Sequence, residues 1–103
     1  MSQRLSFQVI QDEFVFDITT VKDAAIINHP DGKFEGLEIE LTQEAAVKMG
    51  KMTSGNIGRQ LNLVLNGKII SVSTLRSSLG EKLLIAGITP EDAQQFVEMT
   101  KSE

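Results

Sequence analysis

The sequence predicts an α+β fold, an antiparallel β-sheet with two α-helices packed on one face. Several short segments alternate between apolar and polar residues, which is typical of strands with one buried face. Two later segments begin with threonine and continue with apolar residues at helical spacing. The dipeptide Asn66-Gly67 lies between two β-rich runs and is the strongest short signal for a hairpin. With 103 residues, the chain 1–103 has the size of a single domain.

Strands dominate the chain before the first predicted helix. Leu5–Val9 alternates, and Glu13–Ile18 contains a run of aromatic and β-branched residues, so residues 1–20 form an N-terminal strand extension. Ala24–Asn28 is also rich in β-forming residues. In Leu37–Leu41 every second residue is a glutamate, which predicts a strand with one face in water.

Both helices are predicted from their start signals. Thr42 is a candidate N-cap, and Glu44 in the first turn interacts favourably with the helix dipole. This helix should end near Ser54–Asn56, because glycine commonly terminates helices. The second helix starts with the cap Thr89 and with Pro90 at the first helical position. The apolar residues at helical spacing are Ala45, Ala46, Met49 and Met52 in the first helix and Ala93, Phe96, Val97 and Met99 in the second.

A two-residue turn at Asn66-Gly67 fixes a predicted register for the hairpin, because both residue types tolerate positive φ. Leu65 then pairs with Lys68, and every second residue beyond them shares one face. The predicted core face carries Leu61, Leu63, Leu65, Ile70 and Val72, with Lys68 at its tip. The predicted outer face carries Asn62, Val64, Ile69 and Ser71. A polar loop, Arg76–Gly80, and a short strand, Lys82–Ala86, follow.

Composition narrows the range of partners. A net charge of −4 argues against nucleic acid and anionic membranes. Without Trp or Tyr, a platform for stacking bases is not expected. No apolar run approaches the roughly 20 residues that span a bilayer, so direct membrane insertion is not expected. The expected partner is therefore protein or polypeptide.

No constellation of catalytic residues is evident in the sequence. His29 is the single histidine, and the chain has no cysteine to join it in a metal site or a catalytic triad. Glu38 and Glu40 share a strand face, which is more typical of a solvated surface than of a catalytic pair. We therefore expect a non-enzymatic protein without catalytic, cofactor-binding or metal-binding residues, and without a cofactor.

Serines and basic residues cluster in and after the hairpin. The serines lack the strand-turn-helix context of a catalytic nucleophile. Scattered cationic side chains are usually solvated surface residues and not a binding patch. The serines are Ser71, Ser73, Ser77 and Ser78, and the cations are Arg59, Lys68, Arg76 and Lys82.

From about Val21 onward, in residues 21–103, the chain resembles the head subdomain of the first periplasmic region of SecD, a subunit of the bacterial Sec export machinery. Motifs in the same order and spacing carry the resemblance. They are Leu37–Leu41 with Thr42, Glu44 and Ala46; Thr53, Asn56, Gly58 and Arg59; Leu63–Ser71; and Gly87-Ile88-Thr89 with Glu91 and Ala93. The chain departs from the family at Asn66, usually Asp, at Ser73, usually Pro, and at Gly80, usually a pair of glycines.

The resemblance implies a protein-binding module of the bacterial cell envelope that contacts exported polypeptide or an envelope partner. We expect the partner to bind along Lys68–Gly80, where a polar loop lies beside a sheet face. The residues predicted to bind the partner are Lys68, Ser71, Ser73, Arg76, Ser77 and Ser78.

Two alternatives remain open from the sequence. One is a small enzyme or ligand-binding domain that uses the sheet face around Glu38 and Glu40. The other is a cytoplasmic regulatory domain that shares only the fold. The chain start, Met1–Leu5, lacks the apolar stretch of a signal peptide. A periplasmic or envelope location therefore requires that a signal peptide has been removed, and otherwise the location is cytoplasmic.

Overall fold

The computed structural model describes residues 4–9 and 12–101, and confirms the α+β class. Met1–Gln3, part of the chain start considered above, lie outside the described residues. The elements are β1 (Leu5–Val9), β2 (Asp12–Phe16), β3 (Val21–Asn28), β4 (Phe34–Leu41), α1 (Gln43–Ser54), β5 (Gln60–Leu65), β6 (Lys68–Thr74), β7 (Lys82–Ile85) and α2 (Pro90–Lys101).

The strands divide between two antiparallel sheets, where the sequence predicted one. A four-stranded sheet has the order β2-β1-β5-β6, and a three-stranded sheet has the order β3-β4-β7. The division follows from pairings between segments far apart in the chain. In the first sheet β1 lies between β2 and β5, and in the second β4 lies between β3 and β7.

One hydrophobic core joins both sheets and both helices. The four-stranded sheet contributes Leu5 and Phe16, which are fully buried. The helices contribute Met49 from α1 and Phe96 from α2, both also fully buried. Both helices contact the three-stranded sheet, whose inner face is centred on Ile39.

Both predicted N-caps are confirmed. The Thr42 side chain accepts a hydrogen bond from the Ala45 N–H at 3.1 Å, and the Thr89 side chain accepts one from the Asp92 N–H at 3.1 Å. These bonds satisfy N–H groups that lack a partner inside the first helical turn. The first helix is followed by a C-cap at Gly55, as predicted.

The hairpin turn is confirmed, but the predicted register is wrong beyond its first pairs. Asn66 and Gly67 have φ of 52° and 84°, as a type I′ turn requires. Leu65 pairs with Lys68, but a β-bulge then leaves Ile70 without a partner on β5. A bulge adds one residue to one strand, so the faces of that strand exchange beyond it.

The bulge changes which side chains of β6 lie on the inner face. Leu63 pairs with Ser71 and Leu61 with Ser73, where the sequence predicted Ile70 and Val72. Ile70 still packs partly against the core. Val72 instead lies on the outer face and is 54% exposed. The bulge therefore replaces an expected apolar wall with serine hydroxyls.

Candidate functional site

A cavity of about 430 Å³ lies between β6 and β7. We call it the β6–β7 groove: its walls are β6 and β7, and the loop 75–81 closes the end where these strands are joined. The volume is within the range of about 300–1,000 Å³ that is common for ligand sites. Because the two strands end different sheets, the groove lies where the sheets separate.

The floor and one wall of the groove are apolar. Phe7 and Leu63 reach the floor from the inner face of the four-stranded sheet. On the β7 side, Leu84 lines the groove and is 52% exposed. An exposed leucine at the rim of a concave surface is a suitable contact for an apolar partner.

The opposite wall is polar because of the β-bulge. Ser71 and Ser73 line the groove from β6, and Ser77 lines it from the loop. Hydroxyl groups both donate and accept hydrogen bonds, so this wall can bind backbone amides of either orientation.

Two cations lie at the loop end of the groove. Arg76 follows β6, Lys82 begins β7, and both line the groove and are exposed. Neither forms an ion pair with any residue in 4–9 or 12–101. Lys82 is opposite Glu40 in the sheet, but the Glu40 carboxylate lies 3.8 Å from Lys22 Nζ. The two cations therefore line the loop end without an acidic residue beside them in the lining, although Glu81 precedes Lys82 in the chain and Glu40 lies opposite it.

The loop that closes the groove is fixed by three hydrogen-bonded anchors. The Leu75 N–H donates to the Arg59 carbonyl at 2.9 Å. The Leu79 N–H donates to the Thr53 hydroxyl at 2.8 Å. The Glu81 carbonyl accepts from the Leu41 N–H at 2.7 Å. These anchors hold the loop backbone and leave the Arg76 and Ser77 side chains exposed.

Among the three partners of the loop, Thr53 is the one that contributes its side chain to the hydrogen bond. It is fully buried, and its hydroxyl donates to the Met49 carbonyl at 2.7 Å while accepting from Leu79. We expect Thr53→Val to lower the free energy of unfolding by about 1–3 kcal/mol, because the Leu79 N–H loses its acceptor. Urea unfolding followed by circular dichroism measures this. Thr53→Ser keeps the hydroxyl and serves as the control; equal losses in both variants would contradict the role of the bond.

The far end of the groove is closed by a close approach between β6 and the segment after β7. Gly87 has φ of +88°, and a Cβ at this position would lie 3.0 Å from Ser71 Cβ. Glycine is suited to such a position, because it adopts positive φ freely and has no side chain.

The structure brings together four of the six residues predicted to bind a partner: Ser71, Ser73, Arg76 and Ser77 line the groove. Lys68 and Ser78 are exposed but do not line it. Sequence reasoning had placed Lys82 among scattered surface cations, and it had not considered Leu84 as a contact. A detectable signal was the length of loop 75–81, which is too long for a tight hairpin between β6 and β7.

The glutamates of β4 lie beside the groove without lining it, because Glu38 pairs with Leu84 and Glu40 with Lys82. Glu38 is exposed, and neither Glu38 nor Glu40 lines the cavity. His29 is exposed in the turn between β3 and β4. Among the described residues, no group of three or more His, Cys, Asp or Glu side chains is positioned to hold a metal ion.

Two carboxylates have displaced pKa values, and both lie outside the groove. A side-chain hydrogen bond from Arg4, followed by others from Gln8 and Ser6, lowers the pKa of Glu13. Burial raises the pKa of Asp17, but hydrogen bonds from Thr19 and Thr20 outweigh it and leave the pKa lowered. The hydrogen bonds that lower these two pKa values join β1 to β2 and stabilise the turn after β2.

In the part of the chain that the structure describes, no helix has the length and apolar character needed to cross a membrane.

Comparison with known proteins identifies relatives for nearly the whole chain. The family model of the SecDF P1 head subdomain matches residues 2–102. The protein translocase subunit SecD of Sebaldella termitidis is 34% identical over 90 residues, covering 85% of this chain and 22% of that protein. SecD of Aquifex aeolicus is 39% identical over 61 residues, covering 58% of this chain and 12% of that protein. The chain thus spans less than a quarter of the length of these relatives.

Solved structures agree with the sequence relatives. A structure of SecDF, a membrane component that enhances protein export, superposes with a TM-score of 0.68 at 25% identity, covering 82% of this chain and 39% of the other. SecDF in its super-membrane-facing form gives a TM-score of 0.67 at 25% identity, covering 82% of this chain and 12% of the other. The resemblance that the motifs indicated is confirmed, and the chain belongs to the SecDF P1 head subdomain family.

Proposed function

We propose that this domain is a non-enzymatic polypeptide-binding module of the bacterial cell envelope, and that it binds unfolded polypeptide in the β6–β7 groove. The observation that carries the proposal is the convergence of Ser71, Ser73, Arg76 and Ser77 on one cavity. Its apolar floor and hydroxyl wall suit a chain that exposes both apolar side chains and backbone amides. The relatives support the same function, because they are named as translocase subunits and as a component that enhances export.

The groove is also suited to binding without a large conformational change. Its loop is held at Leu75, Leu79 and Glu81 by hydrogen bonds to the segment before β5, to α1 and to β4, respectively. A site that is already formed avoids the entropic cost of ordering a loop on binding. The serines of the wall are short and the floor residues Phe7 and Leu63 are already buried, so we expect modest affinity for many sequences.

Filling the groove tests the proposal. In Ser73→Trp, an indole added to the wall occupies the cavity, and we expect the affinity for a labelled, permanently unfolded polypeptide to fall by about tenfold or more, equivalent to about 1.4 kcal/mol. Fluorescence anisotropy measures the dissociation constant. Ser54→Trp, at the exposed end of α1, is the matched control. Equal affinities of wild type and Ser73→Trp, with unchanged circular dichroism spectra, would refute groove binding.

The location in the envelope is part of the proposal and is tested separately. Fractionation of the source cells, followed by mass spectrometry of the native N-terminus, should find the protein in the envelope fraction with a processed start. An unprocessed Met1 in the cytosol would instead favour a cytoplasmic regulatory domain that shares the fold.

A further inference from the structure

Each wall of the β6–β7 groove is formed by a strand at the end of a sheet. β6 pairs with β5 on one side, and β7 pairs with β4 on one side; within residues 4–9 and 12–101 neither has a strand partner on its other side. All four residues of β7, Lys82–Ile85, line the groove, as expected where an edge and not a face borders it. Unpaired edges present rows of N–H and C=O groups that accept an added strand.

The cavity separates the two edges only between the ends of the groove, which loop 75–81 and the approach of Gly87 to Ser71 close. β6 and β7 belong to different sheets, and loop 75–81 separates them at one end. At the other end they approach through Gly87 and Ser71. An extended segment in the groove would alternate its side chains between the apolar floor at Leu63 and the solvent, because side chains of a strand point to opposite faces in turn.

The charges of the groove indicate what such a segment should carry. Arg76 and Lys82 lie at the same end, and no acidic residue is among the described residues that line the cavity. Their complement is a carboxylate. The Leu75 and Leu79 N–H groups are already bonded to Arg59 and Thr53, which favours an acidic side chain within the segment over a chain terminus held by backbone amides.

We propose that the β6–β7 groove binds an extended polypeptide segment by β-strand addition, with an acidic side chain of that segment against Arg76 and Lys82. This inference rests on the proposed function and specifies its mode and preferred sequence. Main-chain hydrogen bonds along β7 or β6 supply affinity that tolerates many sequences. The two cations add a preference for acidic segments that weakens as salt is raised.

Blocked, labelled peptides of alternating valine and threonine with one central glutamate test both parts. The first comparison replaces the glutamate by glutamine, and the second methylates alternate backbone nitrogens of the same peptide. We expect the glutamine peptide to bind about three- to fivefold more weakly, as for an exposed ion pair. We expect the N-methylated peptide to bind at least about tenfold more weakly, since several main-chain hydrogen bonds are lost.

Variants locate the effect in the groove. Arg76→Gln/Lys82→Gln should abolish the preference for glutamate, whereas Lys48→Gln/Lys51→Gln removes the same charge from α1 and should preserve it. Equal binding of the glutamate and glutamine peptides, or an unchanged preference in Arg76→Gln/Lys82→Gln, overturns the acidic specificity. Undiminished binding of the N-methylated peptide overturns strand addition.

Binding of the unfolded polypeptide used in the Ser73→Trp experiment distinguishes failure of this inference from failure of the proposed function. If that polypeptide binds in the groove while none of the three peptides binds, the inference is wrong and the proposed function stands. If neither the polypeptide nor any peptide binds, both are wrong.

Discussion

Phe16→Ala should lower the free energy of unfolding by about 3–5 kcal/mol, the usual cost of removing a buried phenylalanine. Phe16 is fully buried in the core. Its ring lies 5.0 Å from that of Phe7 in an edge-to-face arrangement and 5.2 Å from that of Phe14. Such aromatic pairs add about 0.5–1.5 kcal/mol beyond the burial of area. Because a chain of this length is stabilised by roughly 5–15 kcal/mol, the variant should be close to unfolding.

Urea unfolding monitored by far-ultraviolet circular dichroism measures this loss, since the chain has no Trp or Tyr for intrinsic fluorescence. Ile18→Ala is the control: Ile18 follows the same strand but is 46% exposed, so its truncation should cost little. A loss below about 1 kcal/mol in Phe16→Ala would mean that β2 is not an integral part of the core. The contact with Phe7 also links the result to the groove, because Phe7 lies on its floor.

Gly36→Ala should lower the free energy of unfolding by about 2–3 kcal/mol, in the range expected when a methyl group is forced into a packed site. A Cβ at Gly36 would lie 2.7 Å from the Ile85 carbonyl oxygen and 3.1 Å from Leu84 Cδ1. The carbonyl belongs to the backbone of β7, so it cannot rotate away as a flexible side chain would. The strand β7 must therefore shift, and with it one wall of the groove.

Gly80→Ala provides the matched control for Gly36→Ala. A Cβ at Gly80 has nothing within 4 Å, and its φ is not in the left-handed region. We expect this variant to change stability by less than about 0.5 kcal/mol. Amide chemical shifts of Leu83–Ile85 should move in Gly36→Ala and stay in place in Gly80→Ala. If the two variants were equally stable, the close contact between β4 and β7 would be disproved.

Local chemistry determined most elements of this fold, and the sequence predicted those elements well. Threonine caps, glycine at the end of α1 and the Asn66-Gly67 turn each act within a few residues. Strand partnership is a different property, because it depends on which segments meet in space. Nothing near Leu5–Val9 indicates that β1 lies between β2 and β5, or that the strands form two sheets.

The candidate site shows the same limit at finer scale. The hairpin and the loop after it were predicted to bind a partner, which stays a prediction; part of the hairpin and the loop border the β6–β7 groove. The serines were predicted to bind a partner, but the predicted register put Ile70 and Val72 on the inner face, where the structure has Ser71 and Ser73. In the sequence, Ile70 has the pattern of an ordinary core residue in an alternating strand. Only the strand pairing shows that Ile70 is the bulged residue, which has no partner on β5.

The unpaired residue on β6 also affects how this family can diversify. Because side chains alternate, the chemistry offered by the far half of the strand depends on how many residues precede it as much as on which residues they are. Two homologues could have nearly the same sequence from Ser71 to Thr74 but differ by one in the number of residues between the turn and Ser71. One would then present serines to a bound polypeptide, and the other would present valine. A single-residue insertion or deletion before Ser71 is thus a mutational route to a new preference that leaves the sequence of residues 71–74 unaltered. Alignments that treat such a gap as neutral would miss the change.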